Sequence, residues 1–106
     1  MNAIVLMLVL GQASGLPFPA PRHITATATT RFDAGTVAQV DAANGRLFTN
    51  STIGVITYLV SPNETVWGAD GSASGTVASL RPGQSVRVYF HVSDGARVEE
   101  IDLESR

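Results

Sequence analysis

Apolar and polar residues alternate most cleanly over residues 80–103, LRPGQSVRVYFHVSDGARVEEIDL. Val86, Val88, Phe90 and Val92 take every second place, with Arg87, Tyr89 and His91 between them, which is the period of a half-buried strand. Pro82 and Gly83 supply a turn before the run. Asp94-Gly95 supplies a corner after it, because glycine readily adopts positive φ. In the returning strand Val98 and Ile101 stand three places apart, so a regular pleat would send them to opposite faces. A bulge at Glu99-Glu100 brings both inward.

Earlier segments carry the same kind of signal. Residues 23–32, HITATATTRF, set Ile24, Ala26 and Ala28 against Thr25, Thr27 and Thr29, which predicts an edge or accessory strand with a small-residue inner face. Asp33-Ala34-Gly35 reads as a turn, and residues 36–41, TVAQVD, as a second strand whose Val37 and Val40 again call for a bulge or a strong twist. Asn44-Gly45 marks a hairpin corner, with residues 46–49, RLFT, returning from it. Residues 53–60, IGVITYLV, are apolar on both faces apart from Thr57, the pattern of a central strand covered on both sides. Ser61-Pro62-Asn63 stops that run. Thr65–Trp67 is a short strand or loop, and residues 68–75, GADGSASG, form a flexible excursion. Residues 76–80, TVASL, predict a single helical turn that drops Val77 and Leu80 onto the core.

Five or six strands with turn signals between them, and no long helical period, predict an all-β fold, a small antiparallel barrel or sandwich. The barrel is favoured because so few strands cannot cover both faces of a flat sheet. At 106 residues the chain is one domain. Its first fifteen residues stand apart: an eight-residue apolar run at 3–10 precedes small residues at 11–15, which reads as a signal peptide cut after Ala13 or Gly15. The run falls well short of the roughly twenty residues that span a bilayer, so no stable membrane span follows cleavage. No basic residue precedes the run, and a buried N-terminal strand is the alternative. Residues 16–22, LPFPAPR, hold three prolines and read as an extended linker, leaving 23–106 as the barrel. Export predicts a periplasmic or secreted location.

Composition narrows the chemistry. With no Cys there is no disulfide, thiolate metal site or Cys nucleophile. The net charge of −2 lacks the basic footprint of nucleic-acid binding. All seven basic residues are Arg, which reads as base composition rather than selected chemistry.

Gly35-Thr-Val-Ala-Gln-Val-Asp41, Asn44-Gly-Arg-Leu47, the long apolar strand, Thr65, Leu80-x-x-Gly-x-x-Val-x-Val88, Asp94-Gly95 and Ile101 together resemble exported bacterial OB-like barrel domains of unknown function, over residues 36–103. These are turn glycines and core aliphatics, so the resemblance implies a fold and no activity. Related small periplasmic barrels handle copper with a His, Met thioethers and a Trp face. Here Met1 and Met7 both lie in the expected signal segment, leaving Trp67 and His91 without a soft sulfur donor.

Among candidate functional residues, Trp67 beside the 68–75 loop offers a sugar or peptide platform, or else plugs one end of the barrel. Arg87, Tyr89 and His91 share the outward face of their strand, where His91 can meet Glu99 across the hairpin. The bland alternative is a solvated strand histidine. Glu99, Glu100, Asp102 and Glu104 read as a solvated edge that resists aggregation. No nucleophile elbow, phosphate loop or nucleotide fingerprint occurs. The expectation is a non-enzymatic exported binding or structural module of the cell envelope, without cofactor or metal. It would contact an envelope protein or glycan through Trp67, Arg87, Tyr89 and His91. Periplasmic metal handling is the alternative.

Overall fold

The alternating runs become strands in the computed structural model, which describes residues 16–104. In chain order they are β1 (Arg31–Asp41), β2 (Arg46–Ser51), β3 (Gly54–Leu59), β4 (Thr65–Trp67), β5 (Ala73–Thr76), β6 (Ser85–Val92) and β7 (Ala96–Leu103). One-turn 3-10 helices lie at Ala42–Asn44 and Val77–Ser79. β1 pairs antiparallel with β2 and β6, β2 with β3, and β6 with β7. The ring closes where β3 meets β7 in parallel, Leu59 beside Arg97. An odd number of strands cannot alternate in direction all the way round a closed ring, so the five-stranded OB-like barrel β3-β2-β1-β6-β7 is mixed rather than wholly antiparallel. β4 lies parallel to the far half of β7, at Ile101 and Asp102, and carries β5.

Both bulges expected from apolar residues three apart are present. In β1, Val37 and Gln39 face the successive residues Thr49 and Phe48, so Ala38 is the extra residue. In β7, Glu100 and Val98 face Tyr89 and Phe90, leaving Glu99 as the extra one. Each insertion resets the pleat, so Val37 with Val40, and Ile101 with Val98, join one core. Leu47, Tyr58, Val77, Val86 and Ile101 are 0% exposed at its centre. Each such side chain contributes about 1.5–3 kcal/mol by leaving water. The turn at Val77–Ser79 lays Val77 and Leu80 on this core, as TVASL predicts. The β6–β7 corner uses Asp94 at φ 53° and Gly95 at φ 110°, the positive-φ pair a tight hairpin needs.

Four expectations are corrected. Asp33-Ala34-Gly35 is no turn: β6 offers an unbroken partner from Arg31 opposite Phe90 to Thr36 opposite Ser85, and the strand runs through. Only Arg31 and Phe32 of the 23–32 segment are in a strand, because its alanines have too little apolar bulk to hold a ladder. Residues 27–30 form a turn in which the Thr27 N–H donates to Thr30 Oγ1. β3 is covered on one side only, and Ile53 just before it and Val55 within it are 85% and 64% exposed, since none of the described residues packs outside the barrel there. The 68–75 excursion includes the start of β5, a solvated edge strand on β4.

The proline-rich residues and those after them lie along the outer face of β6 and β7. Phe18 stacks on Phe32 with ring centres 5.5 Å apart and tilts against Tyr89, whose hydroxyl donates to the Pro19 carbonyl at 2.7 Å. Residues 16–24 thus form a strap across the barrel wall. The expected signal segment, residues 1–15, lies outside the described residues. Among those described, no helix is long and apolar enough to cross a membrane.

Candidate functional site

The four residues singled out from the sequence do not form one site. Arg87, Tyr89 and His91 do point outward from β6, but the strap covers Tyr89 completely. Arg87 pairs with Glu104 at 3.2 Å beside it. Trp67, at the end of β4, stacks flat on His23 of the strap with centroids 4.1 Å apart. Only His91, near the turn end of the hairpin, remains at a cleft.

That cleft occupies the end of the barrel where β3 meets β7. Arg46, Leu59, Glu64, His91, Arg97 and Val98 are among its walls, and its volume is about 660 Å³. Local chain geometry positions each polar group. Gly45, at φ 67°, ends the 3-10 turn and sets Arg46 as the first residue of β2, where its Nη1 donates to the Asn44 carbonyl at 3.1 Å. Arg97 stands opposite His91 in the hairpin register, and its Nε donates to the Ser93 carbonyl at 2.7 Å, tying the guanidinium to the turn. The bulge turns Glu99 toward His91. Its Oε2 lies 2.8 Å from Nδ1, and its Oε1 accepts from Thr30 Oγ1 at 3.1 Å. A carboxylate accepts the Nδ1 proton, so Nε2 is the ring nitrogen left for another partner.

Two cations of this cleft lack a carboxylate partner. The ion pairs among the described residues are Arg87 with Glu104 and His91 with Glu99, so neither Arg46 nor Arg97 is neutralised within the fold. Glu64 shares the rim. Burial first, and the charge of Glu100 second, hold its carboxyl above the usual carboxylate range, which moderates the negative charge it brings. Two planar guanidinium groups and an imidazole around an open polar depression are the elements of anion recognition, with Arg suited to two-point contacts on a carboxylate or phosphate.

A larger open groove of about 1120 Å³ lies at the opposite end, where residues 68–75 run past β1 and the start of β6. Small residues such as Gly35, Gly68, Ala69 and Ser74 line it, and its charged wall, Glu104, is held by Arg87. It has volume without convergent chemistry. Arg46 and Arg97 escape a motif-based reading because they belong to no motif. The one available signal is their place directly after positive-φ corners, Gly45-Arg46 and Gly95-Ala96-Arg97.

The acidic run on β7 is also placed differently from expectation. Glu100 and Asp102 are 0% exposed, not a solvated edge. The bulge after Val98 shifts them onto the wall beneath the strap. There Glu100 accepts from the backbone N–H groups of His23 and Ile24, the latter at 2.7 Å, and Asp102 Oδ2 accepts from the Arg22 N–H at 3.2 Å. No group of three or more His, Asp or Glu side chains among the described residues is arranged to hold a metal ion. Comparison with family models, with curated proteins and with solved structures finds no match to this chain.

Proposed function

We propose that this barrel is a non-enzymatic binding module of the cell envelope whose ligand is a carboxylate-bearing glycan, held in the cleft by Arg46, Arg97 and His91. The observation that supports it is the convergence of two guanidinium groups without carboxylate partners on one open cleft of a chain with net charge −2. The place fits as well, because OB barrels take oligosaccharides and oligonucleotides around the second and third strands and the adjoining loops. Here those are β2, β3, the 42–45 turn and the β6–β7 corner. The chain's negative balance favours a short-range contact with a carboxylate over a polyanion threaded along a basic stripe. The envelope location rests on residues 1–15, outside the described residues.

Calorimetric titration with a uronic-acid oligosaccharide, beside a neutral oligosaccharide of equal length, tests the reading. Saturable binding of the acidic sugar alone is expected, weakened by salt and reduced about tenfold or more by Arg46→Ala or Arg97→Ala, the scale of a lost charge-assisted contact. Affinity should also rise as the pH falls and Glu64 takes up its proton. Equal binding of the neutral sugar, or none of either, overturns the proposal; binding of an acidic peptide instead would move the ligand to a protein partner. The metal-handling alternative rests on the His91–Glu99 pair. Zn²⁺ or Cu²⁺ binding abolished by His91→Ala would favour it.

A further inference from the structure

Glu100 and Asp102 are two residues apart on the outer face of β7, within hydrogen-bonding reach of each other, and neither has any exposed surface. Their surroundings contain one cation in contact with the same cover. The Arg22 guanidinium donates to the Leu103 carbonyl at 2.6 Å and the Gly68 carbonyl at 3.2 Å. Both oxygens of Glu100 receive backbone N–H groups from the strap. Asp102 is different: Oδ2 receives the Arg22 N–H, while Oδ1 is wholly buried without a hydrogen-bond partner. A carboxylate oxygen that accepts from nothing is costly in such a place, whereas a protonated one is a donor with Glu100 beside it.

We propose that Glu100 and Asp102 hold one proton between them, and that this proton latches residues 16–24 over the outer face of β6 and β7, so that its loss frees the strap and uncovers that face. With the proton in place, one negative charge sits beside the single positive charge of Arg22. Without it, two negative charges share that one cation in a site closed to water, and the strap is the element that can leave. The other charged or titratable groups around the pair do not offset the second negative charge. Across the hairpin Arg87 is paired with Glu104, and Tyr89 adds no charge in the neutral range because burial, ahead of Asp102's charge, raises its hydroxyl. Before β4, Glu64 adds negative charge, and on the strap His23 lies against Trp67. Burial first, and the hydrogen bond to Glu100 second, raise the Asp102 carboxyl to about 7, against the opposing pull of the Arg22 N–H and guanidinium. The latch therefore weakens as the pH climbs from about 4, where the freed carboxyl titrates, to about 7, where the latched one does, and no further beyond that. What it exposes is the Tyr89 ring, the Phe32 ring and two adjacent carboxylates, a surface absent from the latched form.

Amide exchange of the full chain, followed residue by residue by NMR, reads the latch directly, because the His23 and Ile24 N–H groups donate to Glu100. Between about pH 4.5 and about pH 7.5 their protection should fall about tenfold or more, a span that covers most of the interval between the freed and the latched titrations. The Val88 and Ile101 amides should hold theirs. Asp102→Asn keeps a donor toward Glu100 that cannot ionise, so protection at His23 and Ile24 should stay high at both ends. Glu100→Gln removes the second carboxylate but leaves Asp102 buried, so the fall over this range should be smaller than in the wild type without vanishing. A wild-type strap equally protected across the range would overturn the proposal, as would a folded Asp102→Asn or Glu100→Gln protein that loses protection as the wild type does.

Discussion

Gly35 shows how close the barrel strands come. A Cβ at this position would collide with the backbone carbonyl of Asn50 on β2, and backbone cannot swing aside as a side-chain end can. Gly35→Ala is expected to cost about 1–3 kcal/mol, the usual penalty for forcing extra volume into a packed site, read as a lower urea midpoint with unchanged slope. In the sequence this glycine, with Asp33, has the composition of a turn, and the contact that explains it lies on another strand. Asp33 is misread for a similar reason: its Oδ2 accepts the Tyr58 hydroxyl at 2.8 Å, 25 residues away. That carboxylate, after burial, raises the Tyr58 hydroxyl well above its ordinary range. Local composition names residues that favour turns. It cannot show that a distant partner has recruited them into a strand.

At the scale of elements, the β6–β7 hairpin and both bulges are legible because their determinants are local: alternation, a positive-φ corner, and two apolar residues three apart that must reach the same core. The strap is not. Its anchors join residues far apart in the chain, His23 to Glu100 across 77 positions and Arg22 to Leu103 across 81, and proline-rich composition points only to an extended backbone. The cleft escapes for the same reason, since Arg46 and Arg97 belong to separate hairpins that meet only on closure of the ring. If the strap is held as described, Arg22→Ala should weaken it by about 1.5–3 kcal/mol, the worth of a hydrogen-bonded charge. Limited proteolysis should then cut faster within residues 24–30 and leave the barrel strands resistant, whereas unchanged cutting would show that the guanidinium contributes nothing.

For the whole molecule, the acid groups set how stability varies with pH. Asp102, at about 7, and Glu64, also raised, bind protons more tightly in the folded chain than in the unfolded one, where such groups titrate near 4. The contribution of Asp102 is complete below about pH 4 and is lost as the pH climbs to about 7, with no further loss beyond its own titration, and Glu64 acts in the same direction. Asp70 shifts the other way, lowered by hydrogen bonds from Ser72, but it is fully exposed and alters the trend little. Urea midpoints should therefore decline from about pH 5 to about pH 8, and a profile that rises over this interval would contradict the burial of Asp102. The ring of strands carries one more implication. β7 is made after the other described strands, yet it is the seam to which β3, β4, β6 and the strap all attach. A chain emerging from the ribosome cannot close this ring until residues 96–103 have been made and are free to pair. Intermediates halted before Ala96 should remain open to proteases however much of the earlier sheet they contain.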